Sequence, residues 1–180
     1  MALIPKPLAI QSSQKLSIDF FSDEQIEQIL NEILKKIEQD KKRLKYHRRY
    51  FLLVKFLVRT GGRIDEILGL TPKDINLSTN TIRMRTLKQG KDKKTGLRKE
   101  KFRIIPIHPD LRNTYMEYLL STGIKQDSEE LLFPMRRQVV DLYFKRIQGV
   151  LGFGIHAHKF RHTFAVKAIM DGVPLNVLQQ

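Results

Sequence analysis

Arginine and histidine side chains can hold a phosphate group and move its protons, and two short segments of this sequence set them at helical spacing. The first is Thr60-Gly61-Gly62-Arg63-Ile64-Asp65-Glu66-Ile67-Leu68-Gly69-Leu70, which places an arginine on the first turn of a helix after two glycines. Glycine lets the backbone turn sharply, and free N–H groups at a helix start favour an anion beside the guanidinium. Taken alone, the segment also suits a plain helix start whose Arg63 pairs with Glu66 or Asp65. The second is His156-Ala157-His158-Lys159-Phe160-Arg161-His162-Thr163-Phe164-Ala165. At about 100° per residue, His158, Arg161, His162, Ala165 and Ile169 share one helix face, while Phe160 and Phe164 lie on another that a core can bury. Two imidazoles and a guanidinium converge on the polar face. A solvated face of an ordinary amphipathic helix has the same spacing. His158 and His162 stand at the i, i+4 spacing of helical zinc sites, but Lys159 occupies the place of the zincin glutamate and the surrounding charge is positive, so no metal is expected.

A third segment carries charge rather than a geometric motif. Between Lys88 and Lys101 stand seven basic residues (Lys88, Lys91, Lys93, Lys94, Arg98, Lys99 and Lys101) against Asp92 and Glu100, with Gly90 and Gly96 as flexible points. In a neutral protein this would be a solvated surface loop. Here 33 Lys and Arg against 19 Asp and Glu give a net charge of +14 over 180 residues, and an isoelectric point near 10.1. Such a balance makes a polyanion, nucleic acid first, the expected partner, and the basic loop a finger that tracks phosphates. The chain contains no cysteine, which removes disulfides, thiolate chemistry and most zinc-site architectures. No apolar run approaches the roughly 18 residues of a spanning helix and no signal-peptide pattern opens the chain, so no membrane partner and a cytoplasmic location are expected. Neither a cofactor nor a metal is called for.

The elements that must position these groups can be read from periodicity. Residues 1–20, with Pro5, Pro7 and a polar stretch from Gln11 to Gln14, read as a linker or arm, and residues 21–180 as one domain. Ser22 with Gln25 forms a capping-box pattern ahead of Ile26, Ile29, Leu30, Ile33, Leu34 and Ile37, which predicts a helix over 23–39. A second helix is predicted over 46–60, ending at Gly61-Gly62, and a short third one starts near Arg63. Strand patterns follow at 74–77, 81–86 and 102–107, with Asn80 marking a tight turn between the first two. Helical patterns return at 109–121, 137–149, 158–171 and 174–180, with Gly172 closing one and Pro174 opening the next. The expected fold class is α+β: a mostly helical domain with one small three-stranded antiparallel sheet.

These segments occur in the order and context of the tyrosine recombinase (phage integrase) family, which the sequence resembles over about residues 20–180. The segment Thr60 to Leu70, followed by Asp74-Ile75, resembles the family's first signature box, with Arg63 in the place of its first catalytic arginine. Lys88 and the later Arg103-Ile104-Ile105-Pro106-Ile107 look like the catalytic lysine and the strand after it, with Lys91 as the other candidate for that lysine. His158-Lys159-Phe160-Arg161-His162-Thr163-Phe164-Ala165 resembles the HxxR box, so His158 and Arg161 inherit its histidine and second arginine; Gly172 to Gln180 is similar to the family's segment after that box. The resemblance implies cleavage and rejoining of double-stranded DNA through a 3′-phosphotyrosine, with no nucleotide cofactor. In that scheme Arg63 and Arg161 bracket the scissile phosphate, Lys88 protonates the leaving 5′-oxygen, and His158 assists proton transfer or hydrogen-bonds the phosphate.

Within the family, the nucleophilic tyrosine lies beyond the HxxR box and the segment after it, and a DNA-clamping domain precedes the catalytic one. Tyr46, Tyr50, Tyr115, Tyr118 and Tyr143 all lie before the box and read as core or surface aromatics. The chain as given is therefore expected to be a catalytic domain without its nucleophile, unable to cleave, and monomeric, where the full-length protein would act as a tetramer on DNA. A type IB topoisomerase-like enzyme and a noncatalytic DNA-binding module are the competing readings. If about five phosphates are neutralised, the logarithm of the affinity for duplex DNA should fall with the logarithm of salt at a slope near −4.5, at roughly −0.9 per contact. A salt titration by fluorescence anisotropy measures this, and an affinity indifferent to salt would sink the electrostatic reading.

Overall fold

The computed structural model describes residues 19–86 and 101–174. The arm expected over residues 1–18, the basic loop with Lys88 and Lys91, and the helix expected over 174–180, save its first residue, lie outside the described residues. Helix α1 (Asp23–Gln39) starts where the capping box places it: Ser22 Oγ accepts from the Gln25 N–H at 3.2 Å and the Gln25 side chain accepts from the Ser22 N–H at 3.2 Å. Its Ile26, Ile29 and Ile33 are buried in register. Helix α2 (Leu44–Thr60) begins two residues before the expected 46. A 3-10 turn over Lys41–Arg43 leads into it, capped by the Asp40 carboxylate, which accepts from the Arg43 N–H at 3.2 Å.

Helix α2 is the centre of the domain. It buries His47, Tyr50, Leu52, Leu53, Val54, Phe56, Leu57 and Thr60, more than one face, as a helix surrounded by other elements must. Helices α1, α4 (Pro109–Thr122) and α6 (Ala157–Met170) pack around it. Helix α5 (Arg137–Leu151) joins against α1, where Tyr143 stacks on Tyr50 of α2 with ring centroids 3.6 Å apart. After α2 the short helix α3 (Ile64–Leu68) leads to the sheet.

Strands β1 (Ile75–Asn76), β2 (Thr81–Thr86) and β3 (Lys101–Pro106) form an antiparallel sheet in that order, as expected from the sequence. The first strand is shorter than the predicted 74–77. Asp74 belongs instead to a 3-10 turn, its carboxylate accepting from the Thr71 N–H at 3.0 Å and the Thr71 hydroxyl at 2.9 Å. At the other end the Asn76 side chain accepts from the N–H groups of Ser78 and Thr79, both at 3.0 Å, which closes the turn through Asn80, whose φ is +51°. Ile75, Ile82 and Met84 face the core, whereas Arg83 lies 4.8 Å over the Phe102 ring on the open face of the sheet. Predicted helices α4, α5 and α6 appear within two residues of their expected bounds.

Phe160 on α6 is fully buried between Phe21 and Phe144, with ring centroids at 4.7 and 5.7 Å. Its truncation in F160A should destabilise the domain by about 3–5 kcal/mol. The control L120A removes a side chain that is 84 % exposed and should change stability by less than about 0.5 kcal/mol. Urea denaturation followed by circular dichroism checks both; equal effects would contradict the packing of α6.

Candidate functional site

The C-terminal end of α2 is where the two arginine segments meet. Gly61 takes φ +56°, and a Cβ on it would stand 2.4 Å from Phe164 Cδ1, so α2 and α6 approach too closely for any side chain. Gly62 is less confined: its would-be Cβ would stand 2.6 Å from the terminal methyl of Met84 on β2, the end of a flexible side chain. Across this contact the Arg161 guanidinium donates to the Gly61 carbonyl at 2.6 Å, joining residues 100 apart in sequence. The sequence segments that carry Arg63 and Arg161 thus sit side by side.

Arg63 stands at the N-terminal boundary of α3, and the pairing that its spacing allowed is present: its Nη1 donates to Glu66 Oε1 at 3.0 Å and its backbone N–H to Glu66 Oε2 at 3.1 Å. The other partner considered, Asp65, faces Arg137 at 3.9 Å. Glu66 has a further donor that local spacing does not reveal. Arg103 of β3 reaches its Oε2 at 2.6 Å and the Thr86 hydroxyl at 3.4 Å. Burial would raise the Glu66 carboxyl, but the Arg103 hydrogen bond, the Arg63 backbone N–H, the Arg103 charge and the Arg63 side-chain hydrogen bond outweigh it and hold the group below its ordinary value. A depressed carboxyl contributes stability that is present above the ordinary range near 4.5 and is lost as acid protonates it. Arg161 is lowered by its own burial and by repulsion from Arg63 and Arg103, with Glu66 opposing. It remains a cation, as arginine does in proteins.

His158 stands exposed on α6, its ring 4.2 Å from that of His162 in an edge-to-face arrangement. Desolvation, then His162, His156, Arg161 and Arg137, lowers it below 6.5. At neutral pH its imidazole is therefore uncharged, with one nitrogen to donate and one to accept. His156 serves a different purpose: its Nδ1 accepts from the Lys159 N–H at 3.2 Å and caps α6. Of the residues picked out by sequence, Arg161 lies near Arg63 through its bond to Gly61, and His158 is on the same helix as Arg161, while Lys88 and its alternative Lys91 fall outside the described residues. Among the described residues, no three His, Asp or Glu side chains are grouped to hold a metal ion.

Two participants escaped the sequence reading. Arg103 pairs across the sheet with the buried Met84, so a strict alternation along β3 would have marked it as an arginine turned inward. Lys159 is buried, its Nζ 2.7 Å from Asp19 and 4.6 Å over the Phe21 ring, which ties the chain ahead of α1 to the helix bearing His158 and Arg161. Phe21 N–H adds a bond to Thr163 Oγ1 at 2.8 Å.

The five tyrosines are accounted for by packing. Tyr50, Tyr115, Tyr118 and Tyr143 are at most 3 % exposed. Their hydroxyls meet the Val139 carbonyl, Gln126, Arg49 and His47, and burial pushes the Tyr115 hydroxyl up to about 12. Tyr46 packs edge-on against Tyr50 and Tyr143.

The position of His158 predicts a pH response. Because its pKa is lowered by the fold, the unfolded chain takes up the proton first, so its contribution to stability is complete above 6.5 and declines as pH falls through that value. In a proton NMR titration the His158 C2–H should move at lower pH than a free histidine. The variant H162N should shift it back upward, and no shift in that variant would remove His162 from the environment of His158.

The sequence pattern of the phage integrase family matches residues 19–180. The chain is 27 % identical over 129 residues to tyrosine recombinase XerA of Saccharolobus solfataricus, covering 72 % of this chain and 40 % of that protein. It is 28 % identical over 177 residues to tyrosine recombinase XerC of Staphylococcus epidermidis, covering 92 % and 53 %. The chain thus spans about half the length of these curated relatives. In fold it is similar to a crystal structure of XerA recombinase (TM-score 0.64, 21 % identity, 89 % of this chain and 54 % of the other). It is likewise similar to the Tn1549 transposon integrase in complex with circular intermediate DNA (TM-score 0.62, 19 % identity, 94 % and 58 %). A basic helical domain with a three-stranded sheet, two arginines and a histidine gathered at one helix junction, and this match over nearly its whole length lead to one conclusion: the chain belongs to the phage integrase family of tyrosine recombinases.

Proposed function

We propose that this chain is the phosphate-holding part of a site-specific DNA recombinase that cuts and rejoins duplex DNA through a 3′-phosphotyrosine. The observation that carries this reading is the convergence of the segments bearing Arg63 and Arg161, far apart in the sequence, with His158 on the same helix as Arg161. Two guanidinium groups offset the charge that grows on the non-bridging oxygens of a phosphodiester under attack. A neutral imidazole hydrogen-bonds the same phosphate or takes the proton of the attacking hydroxyl. Lys88, with Lys91 as its alternative, is the proposed donor to the leaving 5′-oxygen, so that the bond to phosphorus breaks as the alcohol gains its proton. The partner is double-stranded DNA, in keeping with the net charge of +14. Assembly of four protomers on DNA is proposed for the full-length protein, and a monomer for this chain.

The nucleophile in this scheme is a tyrosine that follows the HxxR box beyond Gln180. None of the five tyrosines present suits the part, since four are buried and Tyr46 is packed among their rings. The test is a nicked suicide duplex incubated with the 180-residue chain and with a carboxy-terminally extended chain, then resolved under denaturing conditions. A DNA-linked band is expected from the extended chain alone. In that chain R63A or R161A should slow cleavage on the order of 10²–10³-fold, as loss of an oxyanion donor does. A band from the short chain would overturn the assignment of the nucleophile, and full cleavage by either arginine variant would remove that arginine from the site.

A further inference from the structure

Glu66 poses an electrostatic problem for a site that must attract phosphate. Its side chain is fully buried directly against Arg63. An isolated Arg63–Glu66 pair would be neutral, and its guanidinium would be aimed at a carboxylate instead of an incoming anion. Arg103 changes the sum. It makes the shortest bond to that carboxylate, 2.6 Å against 3.0 and 3.1 Å from Arg63. Two guanidinium charges then face one carboxylate, and the trio keeps a net positive charge. Arg63 donates only Nη1 of its side chain to Glu66 and is 35 % exposed, so among the described residues Glu66 leaves other N–H groups of its five-donor fork unoccupied.

The location of Arg103 gives it a second link. It follows the β2–β3 connection, across from Met84, and its Nη1 reaches Thr86, the last residue of β2. One side chain thereby bridges the base of that hairpin and the carboxylate that aligns Arg63.

Resting on the phosphate-site reading above, we infer that Arg103 is a positioning residue for phosphate capture: it engages Glu66, so that Arg63 keeps its charge and its free donors for the anion. Arg103 does not touch the phosphate; it acts through Glu66. That distinction is testable by charge arithmetic. The trio Arg63, Glu66, Arg103 carries +1, R103M leaves it at zero, and the double variant E66Q/R103M returns it to +1 by another route. Removing both members of a buried ion pair together also avoids the uncompensated buried charge that a single deletion leaves.

The experiment follows the His158 C2–H resonance of the 180-residue chain during titration with inorganic phosphate at low ionic strength, with melting temperatures measured in parallel. R103M is expected to weaken phosphate binding at least tenfold, and E66Q/R103M to bind within threefold of wild type. R63A serves as the control that abolishes the response. Wild-type affinity in R103M overturns the inference, and so does a double variant as weak as R103M, which would make Arg103 a direct phosphate ligand. If R103M melts below the measuring temperature, the double variant decides alone, by the same threefold and tenfold limits. A wild-type chain whose His158 ignores phosphate, or an unchanged response in R63A, overturns the phosphate-site reading itself and this inference with it. A wild type that responds, lost in R63A but kept in R103M, refutes only the role of Arg103.

Discussion

The close approach of α2 and α6 at Gly61 is the constraint on which the rest depends. Because Gly61 has no side chain, Phe164 lies over it and the Arg161 guanidinium reaches its carbonyl at 2.6 Å. The chain then turns through Gly62 directly into Arg63. A Cβ at Gly61 would stand 2.4 Å from Phe164 in a left-handed backbone conformation that other residues rarely adopt, so a substitution there would force the junction to shift. Helix α2 resists such movement because it is packed by α1, α4 and α6.

The junction concentrates like charges, and the fold manages them with one buried carboxylate. Arg63, Arg103 and Arg161 act on one another strongly enough that burial and repulsion lower Arg161. Glu66 holds two of them by hydrogen bonds and leaves Arg161 to a backbone carbonyl. Part of the remaining positive charge faces solvent, since Arg63 is 35 % exposed. Desolvation, then the neighbouring histidines and arginines, disfavour the charged form of His158.

Away from the junction, aromatic side chains supply rigidity rather than chemistry. Tyr46, Tyr50 and Tyr143 form one cluster between α2 and α5, joined by His47, whose ring nitrogens meet Tyr143 and Asp40, both at 3.3 Å. A second cluster, Phe21, Phe144, Phe153 and Phe160, fixes α6 against α5 and the segment ahead of α1. Lys159 and Thr163 extend that clamp with polar bonds to Asp19 and Phe21. The helix bearing His158 and Arg161 is thus held on the side opposite its polar face.

Much of this was legible in the sequence wherever the determining interaction is local. The capping box at Ser22, the apolar spacing of α1, the glycine end of α2 and the polar face of α6 each depend on residues within a turn or two, and each appears as read. The alternation at residues 81–86 and the turn at Asn80 likewise specified β2 and its partners, while β1 came out shorter because Asp74 and Asn76 bind turn N–H groups. Spacing showed that Arg63 and Glu66 can pair, and family resemblance brought Arg63, His158 and Arg161 forward as a set. What no local pattern contained was the second partner of Glu66, since Arg103 lies 37 residues away and reaches it only once β3 pairs with β2, the strand that packs on α3. Lys159 stands next to His158 in sequence, yet it is buried, its ammonium held by Asp19 and the Phe21 ring, residues far away in the chain. The sequence by itself determined the helices, the strands and the residue types of the site, since these depend on backbone hydrogen bonds and apolar periodicity within short windows. Only the tertiary structure decided which charges share the site, because Coulomb interactions depend on distances in space that the packing of α2, α6 and the sheet creates.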